Sequence, residues 1–363
     1  MKKGIVRLLA LLLALILGAA AAENPELDAA VDTYLRRYRT VGAAVLVARD
    51  GEVVYSRTFG YAKKKSGQEI TADTYFRVAS VSKMVSAIHV MQLAEKGLLD
   101  LDTDISEYLG YAVRNYYYPQ TPLTLRMLMT HSSSLKASGG YSNPSRGLRE
   151  IISTDKPQGG NYYREVPGSR YRYSNFGAGI MGSLIEAVTG KNLNDSVTES
   201  LFGPLNMDAA YSCSLLSEPD NVPVIYKPDG TIQSGAEMSL AEGWDSSVNP
   251  DRRFHSTAGG VWIKAGDLMR LTMMLCDRGQ LEGRQVLAPE TVEQMMADQR
   301  GRNGITGDTP YGLCIHRVKD DLVPGKTLYG HQGMSGAILA NAYFEPESRF
   351  CFVLVSKIGR AHV

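Results

Sequence analysis

Apolar positions in this chain follow two different periods. Leu27, Val31, Leu35 and Tyr38 recur at helical spacing behind Asn24, a capping residue, and Pro25 at the first helical position. That pattern predicts an amphipathic helix ending near Arg39. Residues 43–47 and 52–58 then read as strands around Asp50-Gly51, a two-residue hairpin signal. Tyr75-Phe-Arg-Val-Ala79 reads as extended and runs into an almost wholly apolar helix over residues 82–96, stopped by Gly97. From residue 98 to about 249, helical patterns alternate with polar loops. Thr124 opens a short helix over 124–130, and 176–188 form another, closed by Gly190. The irregular stretches 132–163 and 212–250 are long enough to be expected to line a site. The last third predicts helices over 267–279 and 289–297 and strands over 311–318, 336–344 and 350–356. Strands at both ends with helices between predict one sheet assembled from both termini. The α/β part then covers about 24–97 and 251–357, and a helical part about 98–250.

A length of 363 residues allows one large catalytic unit or two domains. The first 22 residues stand apart: a basic start to Arg7, an apolar run from Leu8 to Leu17, then small residues, with Ala20-x-Ala22 as a cleavage site before Glu23. The run is short for a membrane span of about 20 residues. A cleaved signal peptide and a secreted or periplasmic protein are expected, with membrane attachment only if the segment is retained. The leader has no cysteine, which argues against a lipoprotein. Removing it takes three of the 39 basic residues and none of the 38 acidic ones, leaving a net charge of −2. Near-neutrality argues against a nucleic-acid partner. Cys213, Cys276, Cys314 and Cys351 match no metal-ligand spacing and are expected to be mostly free and buried; no cofactor or metal is expected. Ile358-Gly-Arg-Ala-His-Val363 resembles a translated sequencing adapter, so residues 358–363 are expected to be a non-native tail.

Ser80-Val-Ser-Lys83 carries the candidate chemistry. On a helix, residues three apart share a face, so hydroxyl and amine can touch. A serine needs a base to become a nucleophile, and a lysine serves as one only when burial lowers its pKa. The spacing alone is weak: Ser133-x-x-Lys136 and Ser153-x-x-Lys156 share it, and a serine at a helix start is often only a cap. Tyr173-Ser-Asn175 opens the helix at Phe176. A tyrosine beside a lysine can act as general base, and Asn175 offers both an amide donor and a carbonyl acceptor. Tyr141-Ser-Asn143 has the same letters but is followed by Pro144. His331-Gln-Gly333 precedes Met334 and an alternating strand. There Gly333 permits close backbone approach, and His331 is expected over the site as a donor or positive group. His89 and His131 read as structural.

These three pieces resemble, in order, the serine hydrolases of the class C β-lactamase, D-Ala-D-Ala carboxypeptidase and family VIII esterase group. The resemblance runs from about Asn24 to Lys357. It includes Phe76-Arg-Val-Ala-Ser-Val-Ser-Lys83, Leu123-Thr-Leu-Arg-Met-Leu-Met-Thr-His131, Ser256-Thr-Ala-Gly-Gly260 and Tyr329-Gly-His-Gln-Gly-Met334. It implies a β-lactamase/transpeptidase-like α/β fold: an antiparallel sheet flanked by helices, plus an all-helical subdomain. It implies Ser80 as acylated nucleophile, Lys83 as its proton partner, and Tyr173 as base for attack and deacylation. Asn175 would bind substrate, and the N–H groups of Ser80 and Met334 would form the oxyanion hole. Substrates would be small peptides such as D-alanyl peptides, amides or esters, including peptidoglycan fragments. A β-lactamase, a carboxylesterase and a non-hydrolytic penicillin-binding protein are the alternatives. Two departures stand out. The third motif has His331 and Gln332 where class C β-lactamases have lysine and threonine. The chain also stops where the family continues into a terminal helix, so a sheet face is expected to lie bare.

Overall fold

The computed structural model describes residues 25–138, 141, 143, 145–154, 159–226, 232–234, 243–300, 305–307, 309–320 and 323–358. The expected leader at 1–22, Asn24 and the tail beyond Ile358 lie outside the described residues, as do Ser142, Pro144 and Lys156.

Helix α1 (Pro25–Arg37) leads into the hairpin of β1 (Thr40–Arg49) and β2 (Glu52–Lys63). Asp50 and Gly51 have φ of +53° and +84°, the left-handed pair that a two-residue hairpin turn requires. β3 (Gln68–Glu69) follows, and β4 (Tyr75–Arg77) enters α2 (Val81–Glu95). Next come α3 (Ile105–Leu109), the paired β5 (Arg114–Asn115) and β6 (Tyr118–Pro122), α4 (Leu125–Met129) and α5 (Leu148–Ile152). Then come α6 (Asn175–Thr189), α7 (Leu193–Val197), β7 (Ala209–Ala210), and the paired β8 (Ile225–Tyr226) and β9 (Ile232–Ser234). Among the described residues, the segment expected to be all-helical holds five α-helices, short strand ladders and long irregular stretches.

The chain returns through α8 (Ser256–Gly259), β10 (Trp262–Lys264) and α9 (Ala265–Cys276). The paired β11 (Gln280–Leu281) and β12 (Arg284–Gln285) precede α10 (Pro289–Met296). It ends in β13 (His316–Lys319), β14 (Thr327–Ser335), β15 (Ile338–Glu345) and β16 (Phe350–Ile358). An antiparallel sheet runs β13-β14-β15-β16-β1-β2-β3, with β1 and β16 joining the two ends of the chain. The hydrophobic pattern does not reveal β14, because Gly330 and Gly333 interrupt any alternation. The strand expected over 311–318 is confined to His316–Lys319, with Tyr311 joined to His316 by an isolated bridge. Ile358 closes β16, pairing with Thr40, so the last strand reaches one residue into the expected tail.

Strand alternation sorts the sheet's two faces. Ala44, Leu46, Ala340, Ala342, Val353 and Val355 face the core shared with α2 and α9. Val45, Val47, Phe350, Phe352 and Leu354 pack with Leu27, Val31 and Leu35 of α1. The expectation of a bare face therefore does not hold along β16, where every residue is buried. All four cysteines are buried, and none forms a disulfide among the described residues. Among the described residues, no helix is long and apolar enough to cross a membrane.

Helix α2 is buried from Val81 through Leu93, so its polar side chains need partners. Ser82 Oγ accepts from Val261 N–H at 3.0 Å, and His89 bonds Gln92 and Ser196. Burial holds His89 down at about 4, so it is neutral and structural, as expected. Gly97, at φ +69°, ends the helix and lets Leu98 N–H reach back to Leu93 O.

The backbone of residues 253–261 is drawn tight against α6. A Cβ at Gly179 would run into the carbonyl of Phe254, and one at Gly182 would come within 2.7 Å of Arg253 O. Thr257 Oγ1 bonds the carbonyls of Ala178 and Gly179, and Arg77 Nε donates to Gly259 O at 2.9 Å. Because the obstacle at Gly179 is backbone, Gly179→Ala should destabilise the protein by about 1–3 kcal/mol, read from the urea midpoint. An unchanged midpoint would contradict this packing.

Candidate active site

Ser80 sits at the corner between β4 and α2. Ala79 before it has φ +46°, a strained value for a residue with a Cβ, of the kind found at sites that the surrounding fold imposes. The Ser80 side chain makes no capping hydrogen bond, which removes the cap reading. Its hydroxyl instead meets Lys83.

Lys83 is fully buried. Its Nζ lies 3.1 Å from Ser80 Oγ, 2.8 Å from Asn175 Oδ1 and 2.6 Å from the Ala258 carbonyl. Among the described residues no carboxylate pairs with it. Burial pulls its pKa from 10.5 down to about 7, which amounts to roughly 5 kcal/mol against the charged form. Both carbonyls can only accept. A neutral amine therefore gives its two N–H groups to them and turns its lone pair toward Ser80.

Tyr173 lies on the open side of this pair. Its phenol faces the Ser80 hydroxyl, which favours the ionised phenol, and Lys83 Nζ is 5.0 Å from its ring centroid. Partial burial pushes the phenol up to about 12, against an opposing pull from Ser80. With 40% of the residue exposed, solvent tempers that rise. Ser174, rather than Asn175, caps α6 by accepting from Gly177 N–H at 3.0 Å. That leaves Asn175 Oδ1 free to hold Lys83, and Asn175 itself is exposed to the cleft.

β14 closes the other side. β13 pairs with it only over residues 327–330, leaving the edge beyond Gly330 without a strand neighbour on that side. A Cβ at Gly333 would collide with the Val78 carbonyl and come within 2.9 Å of Ser80 N. Only glycine brings this strand so close to the Ser80 corner. Met334 follows on the edge, its side chain 53% exposed.

His331 corrects the expectation set for it. It is fully buried and makes no positive rim over the site. Its Nδ1 donates to Gln332 O at 2.6 Å, which leaves Nε2 to accept from the Tyr311 hydroxyl at 3.0 Å. Its ring stacks on His316 at 4.2 Å, and burial holds its pKa well below the ordinary value. Strand alternation is the cause: Gln332 and Met334 take the exposed side and His331 the interior.

The structure thus brings Ser80, Lys83, Tyr173 and Asn175 together, with Gly333 against them. Sequence reasoning missed Ala258 as a partner of Lys83, although the Ser256-Thr-Ala-Gly-Gly260 motif marked its place. It also missed the ring of Tyr311 and His131 behind Tyr173. The look-alike motifs do not converge: Ser133 is buried while Lys136 is exposed, and Tyr141 packs on Phe176 and His255. Tyr162 bonds Ile152 O from a buried position, and Trp244 lies under Arg253, which pairs with buried Glu186. Among the described residues no His, Cys, Asp and Glu cluster could hold a metal ion.

The chain matches the family described as Beta-lactamase over residues 27–361. It belongs to the beta-lactamase family. Esterase EstB of Burkholderia gladioli is 30% identical over 372 aligned residues, covering 90% of this chain and 92% of that protein. Penicillin-binding protein 4 of Amycolatopsis lactamdurans is 28% identical, covering 91% and 84%. A putative D-alanyl-D-alanine carboxypeptidase of Escherichia coli O157:H7 is 25% identical, covering 87% and 78%. Among solved structures, an octameric penicillin-binding protein homologue from Pyrococcus abyssi superposes with a TM-score of 0.72 at 20% identity, covering 92% of this chain and 73% of that one. A class C beta-lactamase gives 0.70 at 16% identity, covering 92% and 90%. These likenesses show the β-lactamase/transpeptidase-like fold. Within the family the protein is a serine hydrolase.

Gly333→Ala should lower kcat/KM on an ester substrate by about 100-fold, the scale of losing one oxyanion donor, as β14 is forced off the Ser80 corner. A variant within threefold of wild type would show that the strand edge is not part of the site.

Proposed function

We propose that this is an exported hydrolase that forms an acyl-enzyme on Ser80 and releases it to water, acting on small ester and amide substrates. The observation carrying this reading is the buried, carboxylate-free contact of Lys83 with Ser80 and two carbonyls. Neutral Lys83 takes the hydroxyl proton as Oγ attacks the acyl carbon. Negative charge on the carbonyl oxygen falls to the N–H groups of Ser80 and Met334. Tyr173, protonated at neutral pH, donates to the leaving oxygen or nitrogen. Asn175 holds the substrate amide with its free amide donor. For attack, this reverses the role expected of Tyr173: the lowered amine is neutral and free to accept a proton, while the raised phenol stays protonated and can only donate one. In deacylation the same two groups relay the proton of water.

Uncharged acyl donors suit this cleft better than carboxylate-bearing ones. The β14 edge presents Gln332 and Met334, while His331 is neutral and turned inward. D-alanyl peptides and β-lactams carry a carboxylate that a cation at this position would meet. The likeness to an esterase over nine-tenths of both chains supports the same choice. Export rests on the leader over residues 1–22.

A labelled fluorophosphonate should modify wild type on the Ser80 peptide and leave Ser80→Ala unlabelled; labelling that survives the substitution rejects the nucleophile. Butyrate esters of p-nitrophenol should turn over with higher kcat/KM than a D-Ala-D-Ala peptide or a chromogenic cephalosporin, and the opposite ranking rejects the substrate class.

The pH profile follows from the sign of the Lys83 shift. Below about pH 7 the amine is charged and cannot accept a proton, so kcat/KM should fall about tenfold per unit there and stay level from pH 8 to 10. A falling limb between pH 8 and 10 would instead show an essential acid titrating there, against a neutral Lys83 base and a phenol held up by burial.

A further inference from the structure

Tyr173 is held from both sides by one residue. His131 O accepts from Arg172 N–H at 2.7 Å, and His131 Nδ1 accepts from Ser174 N–H at 3.2 Å. The N–H groups of the residues before and after Tyr173 are thus tied to a residue 42 positions before it. Its ring lies 4.3 Å from that of Tyr173, tilted by 45°, with the Tyr311 ring at 5.0 Å behind it.

Two features of His131 are unfavourable unless this hold matters. Its φ is +55°, a left-handed value that histidine and asparagine tolerate better than most residues with a side chain. Because Nδ1 accepts, the ring proton sits on Nε2, which is buried with no protein partner among the described residues. A leucine or phenylalanine would fill the space without an orphaned donor. Retention of the imidazole points to the bond that Nδ1 makes.

We propose that His131 is the positioning residue for Tyr173, fixing the backbone on both sides of it and seating its ring so that the phenol meets Ser80. His131 is separated from substrate by Tyr173 and acts only through it. The assignment rests on the role given to Tyr173 above, and the test separates the two.

Steady-state kinetics on p-nitrophenyl butyrate would be measured for H131L, H131G and H131N, each alone and with Y173F, beside their melting temperatures. Asparagine keeps an acceptor near the Nδ1 position and tolerates the left-handed backbone. Glycine tolerates the backbone but has no acceptor, and leucine keeps volume only. H131L and H131G should lose about tenfold or more in kcat with KM within threefold, on the scale that a misplaced catalytic group costs. H131N should stay within about threefold of wild type. In the Y173F background none of the three should cost anything further, because residues acting through one another are not additive. Should H131L fail to fold, H131G against H131N makes the same comparison. The proposal is overturned if folded H131G or H131L keeps kcat within twofold, if H131N is as impaired as they are, or if losses multiply with Y173F. A fully active Y173F would overturn the role of Tyr173 itself, whereas an inactive Y173F beside an active H131G would overturn only the positioning.

Discussion

A single amine buried without a counter-charge governs this molecule. Lys83 lies inside the protein on a helix that carries no acidic residue before Glu95. Among the described residues its hydrogen-bond partners are a serine hydroxyl, a side-chain amide oxygen and a backbone carbonyl. A nearby carboxylate would hold the lysine charged and remove the base proposed for Ser80. Each neighbouring element accordingly supplies a neutral acceptor. α6 contributes Asn175, and the segment packed on that helix's glycines contributes the carbonyl of Ala258. The glycines of α6 let that segment pack close enough for the carbonyl to reach Nζ.

Neutrality extends behind the phenol. His131, His331, Tyr171 and Tyr311 form a wall of rings in which burial drives both histidines toward the uncharged form and the tyrosines toward the protonated one. Cys314 lies in the same wall, its thiol pushed up to about 12. No group here can donate charge to the reaction, so the wall acts through shape and hydrogen bonding. The third motif follows the same logic. A histidine facing inward from β14 ties that strand to Tyr311 and leaves the cleft edge uncharged. The likeness to an esterase, a penicillin-binding protein and a carboxypeptidase fits a shared scaffold whose rim sets the acyl donor.

Much of this was legible along the chain. The Asp50-Gly51 hairpin, α1, α2 and the pairing of terminal strands follow from local rules: turn geometry, capping, and period. The Ser80, Lys83, Tyr173 and Asn175 set was also legible, because its members sit at element boundaries that sequence marks clearly. β14 was not, since a strand of glycines and polar residues at a sheet edge has no alternation to detect. Nor was the covered face of β16, which depends on where α1 packs.

Sequence by itself determined which groups could do chemistry and which helix would bury the lysine, because residue type and periodicity are local properties. Only the tertiary structure decided which way His331 points, what holds Lys83 on its third side, and that His131 bonds the backbone on both sides of Tyr173. Those outcomes depend on contacts between residues 20 to 175 positions apart. Protonation then follows from the resulting burial, so the division between base and acid is a property of the packed site and not of the motif.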